Sequence, residues 1–249
     1  MKRTYWAALS AVVVALLFAA VATVATATGS GTAEDGGAAH AAAAVPGTGS
    51  ADAGFARDMA VHHQQAVEMS FIVRDRTQDE AVRTLAYDIA NTQANQRGMM
   101  LGWLDLWGLP KVAADREPMA WMAEEQSSGS GSGSGSGHAG QSSGSGGHAG
   151  HGGHSMGGVA AKPGALMPGM ATKEELAQLS AAGGRDAEVL FLQLMTDHHK
   201  GGVAMAQACA TLCRTPVERD LAQGMVDAQQ SEITLMADML RRRGAAPRG

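Results

Sequence analysis

The stretch FARDMAVHHQQAVEM, residues 55–69, decides how this chain is expected to fold. Its phenylalanine, methionine and histidine side chains recur at steps of three and four residues, the period of one face of an α-helix. The stretch FLQLMTDHHKGGVAM, residues 191–205, repeats its phenylalanine, both histidines and both methionines at a constant offset of 136 residues. Matching residues continue at this offset as far as Gly108 and Gly244. The two stretches are therefore interpreted as copies of one duplicated unit.

Each copy continues into a second stretch with helical periodicity. In the first copy, Val82, Leu85 and Ile89 follow that period, and Gly108 with Pro110 ends the helix. The second copy repeats this plan. Because a hairpin of this size buries only a small fraction of its surface alone, the two copies are expected to pack together. The sequence predicts an all-α fold of four helices in two hairpins.

Capping boxes are predicted at the start of the second helix in each copy. Thr77 with Glu80, and Thr215 with Glu218, have the spacing in which a hydroxyl and a carboxylate satisfy free helix amides. A further short helix is predicted to begin at Thr172. The chain is accordingly divided into 1–28, signal peptide or membrane anchor; 29–50, flexible spacer; 51–110, first hairpin; 111–171, disordered His-rich linker; and 172–244, second hairpin.

The N-terminus has the three parts of a secretory signal peptide. Lys2 and Arg3 precede an apolar run over residues 7–24, and Ala25-Thr26-Ala27 supplies an A-x-A cleavage pattern. Export is therefore predicted, to the periplasm, the cell surface or the medium. The run is nearly long enough to span a bilayer, so an uncleaved membrane anchor is the alternative.

Composition and charge exclude one class of partner. The formal net charge is −5, and the basic residues are scattered rather than concentrated on one helix face. Nucleic-acid binding calls for a basic stripe, so no nucleic-acid partner is predicted.

The predicted linker contains an unusual set of histidines. Residues 127–158 are almost entirely Ser and Gly, a composition that cannot form a core and is expected to be disordered. Histidine-rich tracts of this kind are typical of metal binding, although expansion of a repeat in the gene is the alternative explanation. The accessory metal ligands predicted here are His138, His148, His151, His154 and Met156.

The paired histidines predict a metal site between helices. Met59 lies one helical turn from His63, whereas neighbours such as His62 and His63 point about 100° apart, so both can face one site only in a cleft between helices. A methionine stripe alone is more often core, but four histidine rings would be costly in a core with few partners. The predicted ligands are Met59, His62, His63, Met69, Met100, Met195, His198, His199, Met205 and Met236.

The ligand types favour copper. Thioether sulfur suits Cu(I), and imidazole binds both Cu(I) and Cu(II), so Cu(I) is favoured with Cu(II) as the second choice. The second helices add the accessory residues Gln93, Gln96, Gln229 and Glu232. Cys209 and Cys213, found in the second copy only, are interpreted either as further soft ligands or as a disulfide.

The complete pattern resembles the domain-of-unknown-function 305 (DUF305) family, whose members include CopM-like bundles. The resemblance implies a ferritin-like four-helix bundle that is exported and binds copper through Met and His. Gln96 departs from the family pattern, in which an acidic residue is usual, and so does the long His-rich insert. The matching residues are Phe55, Met59, His62, His63, Ala66, Met69, Gln93, Gln96 and Met100, and Phe191, Met195, His198, His199, Gly202, Met205, Gln229, Glu232 and Met236.

The predicted function is extracytoplasmic copper binding for sequestration, tolerance or delivery. The expected partners are a metal ion and another copper-handling protein, and no enzyme activity is expected. One alternative is a metal-free interaction bundle at the cell surface. The other, a ferritin-like di-metal enzyme, needs Glu-x-x-His motifs, and this sequence contains none.

Overall fold

The computed structural model describes residues 45–123 and 161–248. These residues lie within one compact unit that spans Ala43–Gly249. No β-strand occurs in the described ranges, so the predicted all-α fold is confirmed. The helices with defined bounds are α1 (Ala51–Arg76), α2 (Glu80–Leu106), α3 (Lys173–Ala181), α4 (Gly184–Leu212) and α5 (Pro216–Arg242).

The four long helices form two hairpins that meet through their first helices. α1 packs against α2, and α4 packs against α5, with each turn only long enough to reverse the chain. α1 and α4 pack on each other at the centre of the molecule, and the short helix α3 contacts both of them. The prediction of two duplicated helical hairpins is therefore confirmed. The α1–α4 contact places the two histidine pairs together.

The start of α2 differs from the predicted capping box. Asp79 is the N-cap, and its Oδ1 accepts a hydrogen bond of 2.9 Å from the backbone N–H of Val82. Thr77 instead ends α1, and its hydroxyl donates to Glu188 Oε1 at 2.5 Å. The predicted box over Thr77 and Glu80 is wrong because Thr77 finds a partner on the other hairpin.

The predicted box at the start of α5 is also wrong. Thr215 is the N-cap but makes no side-chain capping bond. The backbone N–H groups of Arg214 and Thr215 donate to Asp52 of α1, at 3.0 Å and 2.7 Å to Oδ1. An acceptor remote in sequence thus satisfies amides that a local residue usually caps. The predicted short helix is confirmed as α3, with a capping box between Thr172 and Glu175.

The predicted linker over residues 111–171 is too long at both ends. Trp121 and Met122 are 3% and 6% exposed, and the indole N–H of Trp121 donates to Asp58 Oδ2 at 3.0 Å. At the other end, Met167 and Met170 are also buried. These apolar side chains fold onto the bundle, which gives the flanking chain a fixed path. Residues 124–160, with the predicted linker ligands, lie outside the described residues.

The chain before α3 is clamped across α1 and α4. The Gln65 side chain donates to the backbone carbonyl of Ala171 at 2.9 Å and accepts from its N–H at 2.6 Å. On α4, a Cβ at Gly201 would lie 2.1 Å from the carbonyl oxygen of Pro168, so only glycine permits this close approach. We call residues 165–171 the covering segment.

Among the described residues, none of the helices combines the length and apolarity needed to cross a membrane. The apolar run over residues 7–24, on which the signal peptide or anchor was predicted, lies outside the described ranges, as does most of the predicted spacer.

Candidate metal centre

Four buried histidines meet where α1 crosses α4. His62, His63, His198 and His199 all have no solvent exposure. The rings of His62 and His198, which occupy equivalent positions in the two copies, lie with their centroids 3.7 Å apart and their planes tilted by 31°. The second histidine of each pair turns away toward the second helix of its own hairpin. The predicted cleft between helices is therefore present, and both copies contribute to it.

Each histidine that turns outward is fixed by an oxygen acceptor on its own hairpin. His63 Nε2 lies 2.8 Å from Gln96 Oε1 on α2. His199 Nε2 lies 2.6 Å from Glu232 Oε2 on α5. At the crossing itself, His198 Nε2 lies 2.9 Å from the backbone carbonyl oxygen of His62. Because an oxygen of this kind accepts, each of these Nε2 atoms carries a proton, and in the neutral rings of His63 and His198 the Nδ1 is then an unprotonated lone pair.

By distance and angle, the buried Nδ1 atoms of all four histidines and Nε2 of His62 make no hydrogen bond, although the Pro168 backbone interacts with the His62 ring and partly opposes the lowering of its pKa by burial. A buried polar atom left unpaired costs on the order of 1 to 3 kcal/mol. Unpaired buried nitrogens on four neighbouring rings call for an explanation. Metal ligation supplies one, because metal-binding imidazoles commonly donate their other N–H to a carboxyl or carbonyl oxygen, as the rings of His63, His198 and His199 do. The chemistry of the rings therefore suits a metal ion. Among the described residues, however, the histidine nitrogens do not form a set of three ligand atoms close together, as those of Cys209, Cys213 and Glu218 do.

Three of the histidines, His62, His63 and His198, are held in the neutral form. Burial lowers the pKa of His63 from 6.5 to about 4, and the hydrogen bond with Gln96 only partly opposes this effect. Burial also lowers the pKa of His62 and of His198 well below 6.5, and neighbouring histidine charges act in the same direction. Neutral imidazole is the form that ligates a metal, so binding at neutral pH does not have to displace a proton from these rings.

The six predicted methionine ligands are all buried and fall into two groups. Met59 and Met100 of the first copy share one apolar cluster with Met205 of the second. Met195 and Met236 of the second copy share the other with Met69 of the first. Each group thus combines two sulfurs from one copy with one from the other. We call these groups methionine group 1 and methionine group 2.

The histidines lie between the two methionine groups. Along α1, Met59 belongs to group 1 and Met69 to group 2, with His62 and His63 between them. Along α4 the order is reversed, from Met195 in group 2 to Met205 in group 1. The two helices therefore run antiparallel. One central histidine layer with soft sulfur on both sides is the result.

The accessory residues of α2 and α5 line a small cavity between these helices. Its volume is about 10 Å³, the space of about one water molecule. Gln96 and Glu232 each border this cavity while bonding a histidine. Both side-chain polar atoms of Gln93, and Oε1 of Gln229, are buried here without partners. All four predicted accessory residues of the second helices are therefore brought together beside the histidines.

The cysteines are placed away from the histidine layer. Cys209 and Cys213 form a disulfide at the end of α4, as one of the two predicted interpretations requires. Their sulfurs lie beside Glu218, and the ligand atoms of the three residues are within 4.8 Å of one another.

Two further methionines were missed by the sequence interpretation. Met167 and Met170 of the covering segment are buried, and Met167 packs in the same apolar cluster as methionine group 1. The backbone of Pro168, between them, lies close enough to His62 to influence its pKa. The sequence signal was the short apolar island Leu166-Met167-Pro168-Gly169-Met170 at the end of a Gly- and Ser-rich region.

Comparison with known proteins identifies the family. The model of the family named Domain of unknown function (DUF305) matches residues 52–240. A DUF305 crystal structure from Streptomyces coelicolor, provisionally described as a secreted protein, is 52% identical over 82% of this chain and 99% of that chain, with a TM-score of 0.64. A DUF305 fragment from Deinococcus radiodurans is 28% identical over 77% and 96% of the two chains, with a TM-score of 0.53.

A more distant match is CopM in its Cu(I)-bound form, which is 18% identical over 77% of this chain and 96% of that chain, with a TM-score of 0.49. No curated protein sequence matches the chain. The family model covers most of the chain, including both hairpins and every histidine of the central layer. This protein therefore belongs to the DUF305 family.

Proposed function

We propose that this protein binds copper at the central histidine layer and that it is exported to do so. Its role is to sequester copper or to hand it to another copper-handling protein, without covalent change to any substrate. The observation that carries the proposal is the set of four buried, unpartnered Nδ1 atoms between two groups of methionine sulfurs. The proposal rests on these residues of the chain itself.

Ligand chemistry supports Cu(I) as the preferred ion. Thioether sulfur is a poor ligand for hard cations and for Zn²⁺, whereas imidazole and thioether together suit Cu(I). His63 and His199 would bind through Nδ1 while Gln96 and Glu232 hold their rings in place. The methionines of the two groups would supply the soft donors. A bound ion would also satisfy nitrogens that otherwise destabilise the folded state.

The predicted linker histidines would add a second kind of binding. Imidazole is a ligand for Cu(II), and these residues stand near one another in sequence, at His148, His151 and His154. We expect weaker Cu(II) capture there than Cu(I) binding in the bundle. The signal-peptide pattern and the secreted description of the Streptomyces coelicolor relative support export.

A double substitution tests the central site. His63→Gln with His199→Gln removes two Nδ1 ligands, but a glutamine amide can still donate to Gln96 and Glu232 and so preserve the helix contacts. Anaerobic Cu(I) titration against a chromophoric chelator should show an affinity loss above the roughly 10- to 100-fold that follows loss of an outer hydrogen-bond partner. The matched control changes His148, His151 and His154 to Gln and should leave this affinity unchanged.

The outcomes separate clearly. If the double variant keeps its helical circular dichroism and binds Cu(I) with wild-type stoichiometry and affinity, the histidine layer is not the site and the proposal is wrong. If the linker variant alone loses Cu(I), copper binding belongs to the linker and the bundle has another role.

A further inference from the structure

The duplication provides an internal reference for a second site. In the first copy, Val73, Thr77 and Val82 surround the turn between α1 and α2. Val73 and Val82 are fully buried core residues. The buried hydroxyl of Thr77 is satisfied by Glu188. None of these three residues calls for a ligand.

All three equivalent positions change chemistry in the second copy. They hold Cys209, Cys213 and Glu218, each at the constant offset of 136 residues. Two thiols and a carboxyl are metal-ligand types, and their ligand atoms lie within 4.8 Å of one another. The three side chains are at most 3% exposed. In the structure the two sulfurs are joined as a disulfide.

Glu218 is the residue that the disulfide does not explain. It has no solvent exposure, and no N–H group donates to either carboxyl oxygen. Its neighbour is the Asp52 carboxyl, whose own oxygens accept from Arg214 and Thr215 and which hydrogen-bonds with the protonated form of Glu218. A valine fills the equivalent place in the first copy, so the packing of this turn does not require a carboxyl. A cation bound to Glu218 would take the place of its proton.

We propose that the disulfide closes a second metal site, and that its reduction lets Cys209 Sγ, Cys213 Sγ and a Glu218 carboxyl oxygen bind one thiophilic d10 ion, Cu(I) or Zn²⁺. Thiolate sulfur is a soft ligand that both ions accept. The site is separate from the histidine layer and does not depend on the function proposed for it. It would make metal binding at this end of the bundle sensitive to the redox state of the compartment.

The redox step is a two-electron exchange with an external dithiol reductant. The reductant's thiolate attacks one sulfur, the Cys209–Cys213 bond breaks, and a second thiolate of the reductant releases it as its own disulfide. Two protons pass from the reductant to the two cysteines. Metal binding then releases the thiol protons to solvent. Cys213 is the C-cap residue of α4, so the bond lies in the last turn of that helix.

The test compares oxidised and reduced wild-type protein with a triple variant that carries the first-copy residues in the second copy. The variant combines Cys209→Val, Cys213→Thr and Glu218→Val. The turn of the first copy already contains these residue types at the equivalent positions, so they are expected to fit. Protein reduced with a phosphine, freed of reductant and kept anaerobic is titrated with Zn²⁺ and, separately, with Cu(I). Reduced wild-type protein should bind one more equivalent than oxidised protein. The triple variant should lose that equivalent and keep the binding of the histidine layer.

A single substitution tests the carboxyl. Reduced Glu218→Gln protein should keep the two thiolates but bind the additional ion at least about tenfold more weakly, since one of three ligands is replaced by a poor donor. Co²⁺ substitution should give thiolate-to-cobalt charge-transfer absorption in reduced wild-type protein. Equal stoichiometry before and after reduction, or an additional equivalent that survives in the triple variant, would overturn the proposal. An unchanged affinity in Glu218→Gln would remove Glu218 from the site.

Discussion

The two hairpins have the same residue types where α1 crosses α4, but different residue types at their turns. Both copies supply a buried histidine pair and three methionines to the centre. At the turns, the first copy has apolar packing around Thr77, and the second has Cys209, Cys213 and a buried Glu218 beside Asp52. The duplicated core therefore supplies the central histidine layer from both copies, while each turn has its own chemistry. Replacing residues of one copy by those of the other tests this distinction.

The largest expected effect is at the Glu218 turn. Burial beside Asp52 raises the pKa of Glu218 from 4.5 to about 9, so the folded protein keeps a proton that the unfolded chain releases above pH 4.5. Stability is then lost as the pH rises through this window. For oxidised protein, Glu218→Gln should raise the free energy of unfolding at pH 8 by roughly 3 to 5 kcal/mol. Urea unfolding of both proteins at pH 5 and pH 8 measures this difference in the free energy of unfolding.

The equivalent position of the first copy, Val82, provides the control for Glu218→Gln. Val82→Gln places the same amide at the equivalent turn of the first copy and should destabilise the protein by a similar amount at both pH values, because it buries a polar group that does not titrate. An equal free energy of unfolding for wild-type protein and Glu218→Gln at pH 8 would mean that Glu218 ionises without penalty.

The next effect is acid destabilisation of the metal-free histidine layer. Burial lowers the pKa of His63 to about 4. Between pH 6.5 and pH 4, the ring is therefore protonated in the unfolded chain but not in the folded protein. Stability is present above pH 6.5 and falls with the pH, by on the order of 3 kcal/mol for this residue. His63→Gln should flatten the decrease in unfolding free energy measured at pH 7, 5.5 and 4.5. A decrease of the same size in the variant would contradict the assignment.

A smaller effect on Cu(I) affinity is expected from Gln96 and Glu232, the hydrogen-bond partners of His63 and His199. Glu232→Gln gives the second copy the amide of the first and should weaken Cu(I) binding by roughly 10-fold, because an amide orients and polarises the ring less than a carboxyl does. Gln96→Glu should strengthen binding by making the first copy like the second. Chelator competition at fixed pH measures both. Changes of the same sign in the two variants would show that the partners do not act through the histidines.

The smallest effect distinguishes local from remote helix caps. Asp79→Ala removes the cap of α2 and the partly exposed ion pair that Asp79 makes with Arg243 of the other hairpin; an ion pair of this kind contributes little, so the total cost should be about 1 kcal/mol. Asp52→Ala removes a carboxyl that accepts from the backbone N–H groups of Arg214 and Thr215, just before α5, and also ties the hairpins together, so it should cost about 2 kcal/mol. Both should be made in Glu218→Gln protein, so that relief of the like charge does not contribute. Equal losses would show that the hydrogen bonds of Asp52 stabilise the hairpin contact no more than the Asp79–Arg243 ion pair does.

Much of the centre was predictable because it is encoded twice. The helical period of Met59, His62 and Met69 and its repetition at a constant offset are local patterns, and they indicated the helices and the ligand types. The capping boxes failed for the opposite reason. Thr77 and Thr215 have the right local spacing, but Glu188 and Asp52 reach their turns from the other hairpin. A remote acceptor leaves no trace in local spacing.

The sequence by itself determined the duplication and the two hairpins. It also indicated that histidine and methionine are the candidate ligands on the buried helix faces. Only the tertiary structure decided that each methionine group takes sulfur from both copies, that Nε2 of His63 and of His199 is bonded while Nδ1 is free, and that Glu218 faces Asp52. The reason is physical. Periodicity fixes which face of a helix is buried, whereas the antiparallel packing of α1 on α4 fixes which faces meet.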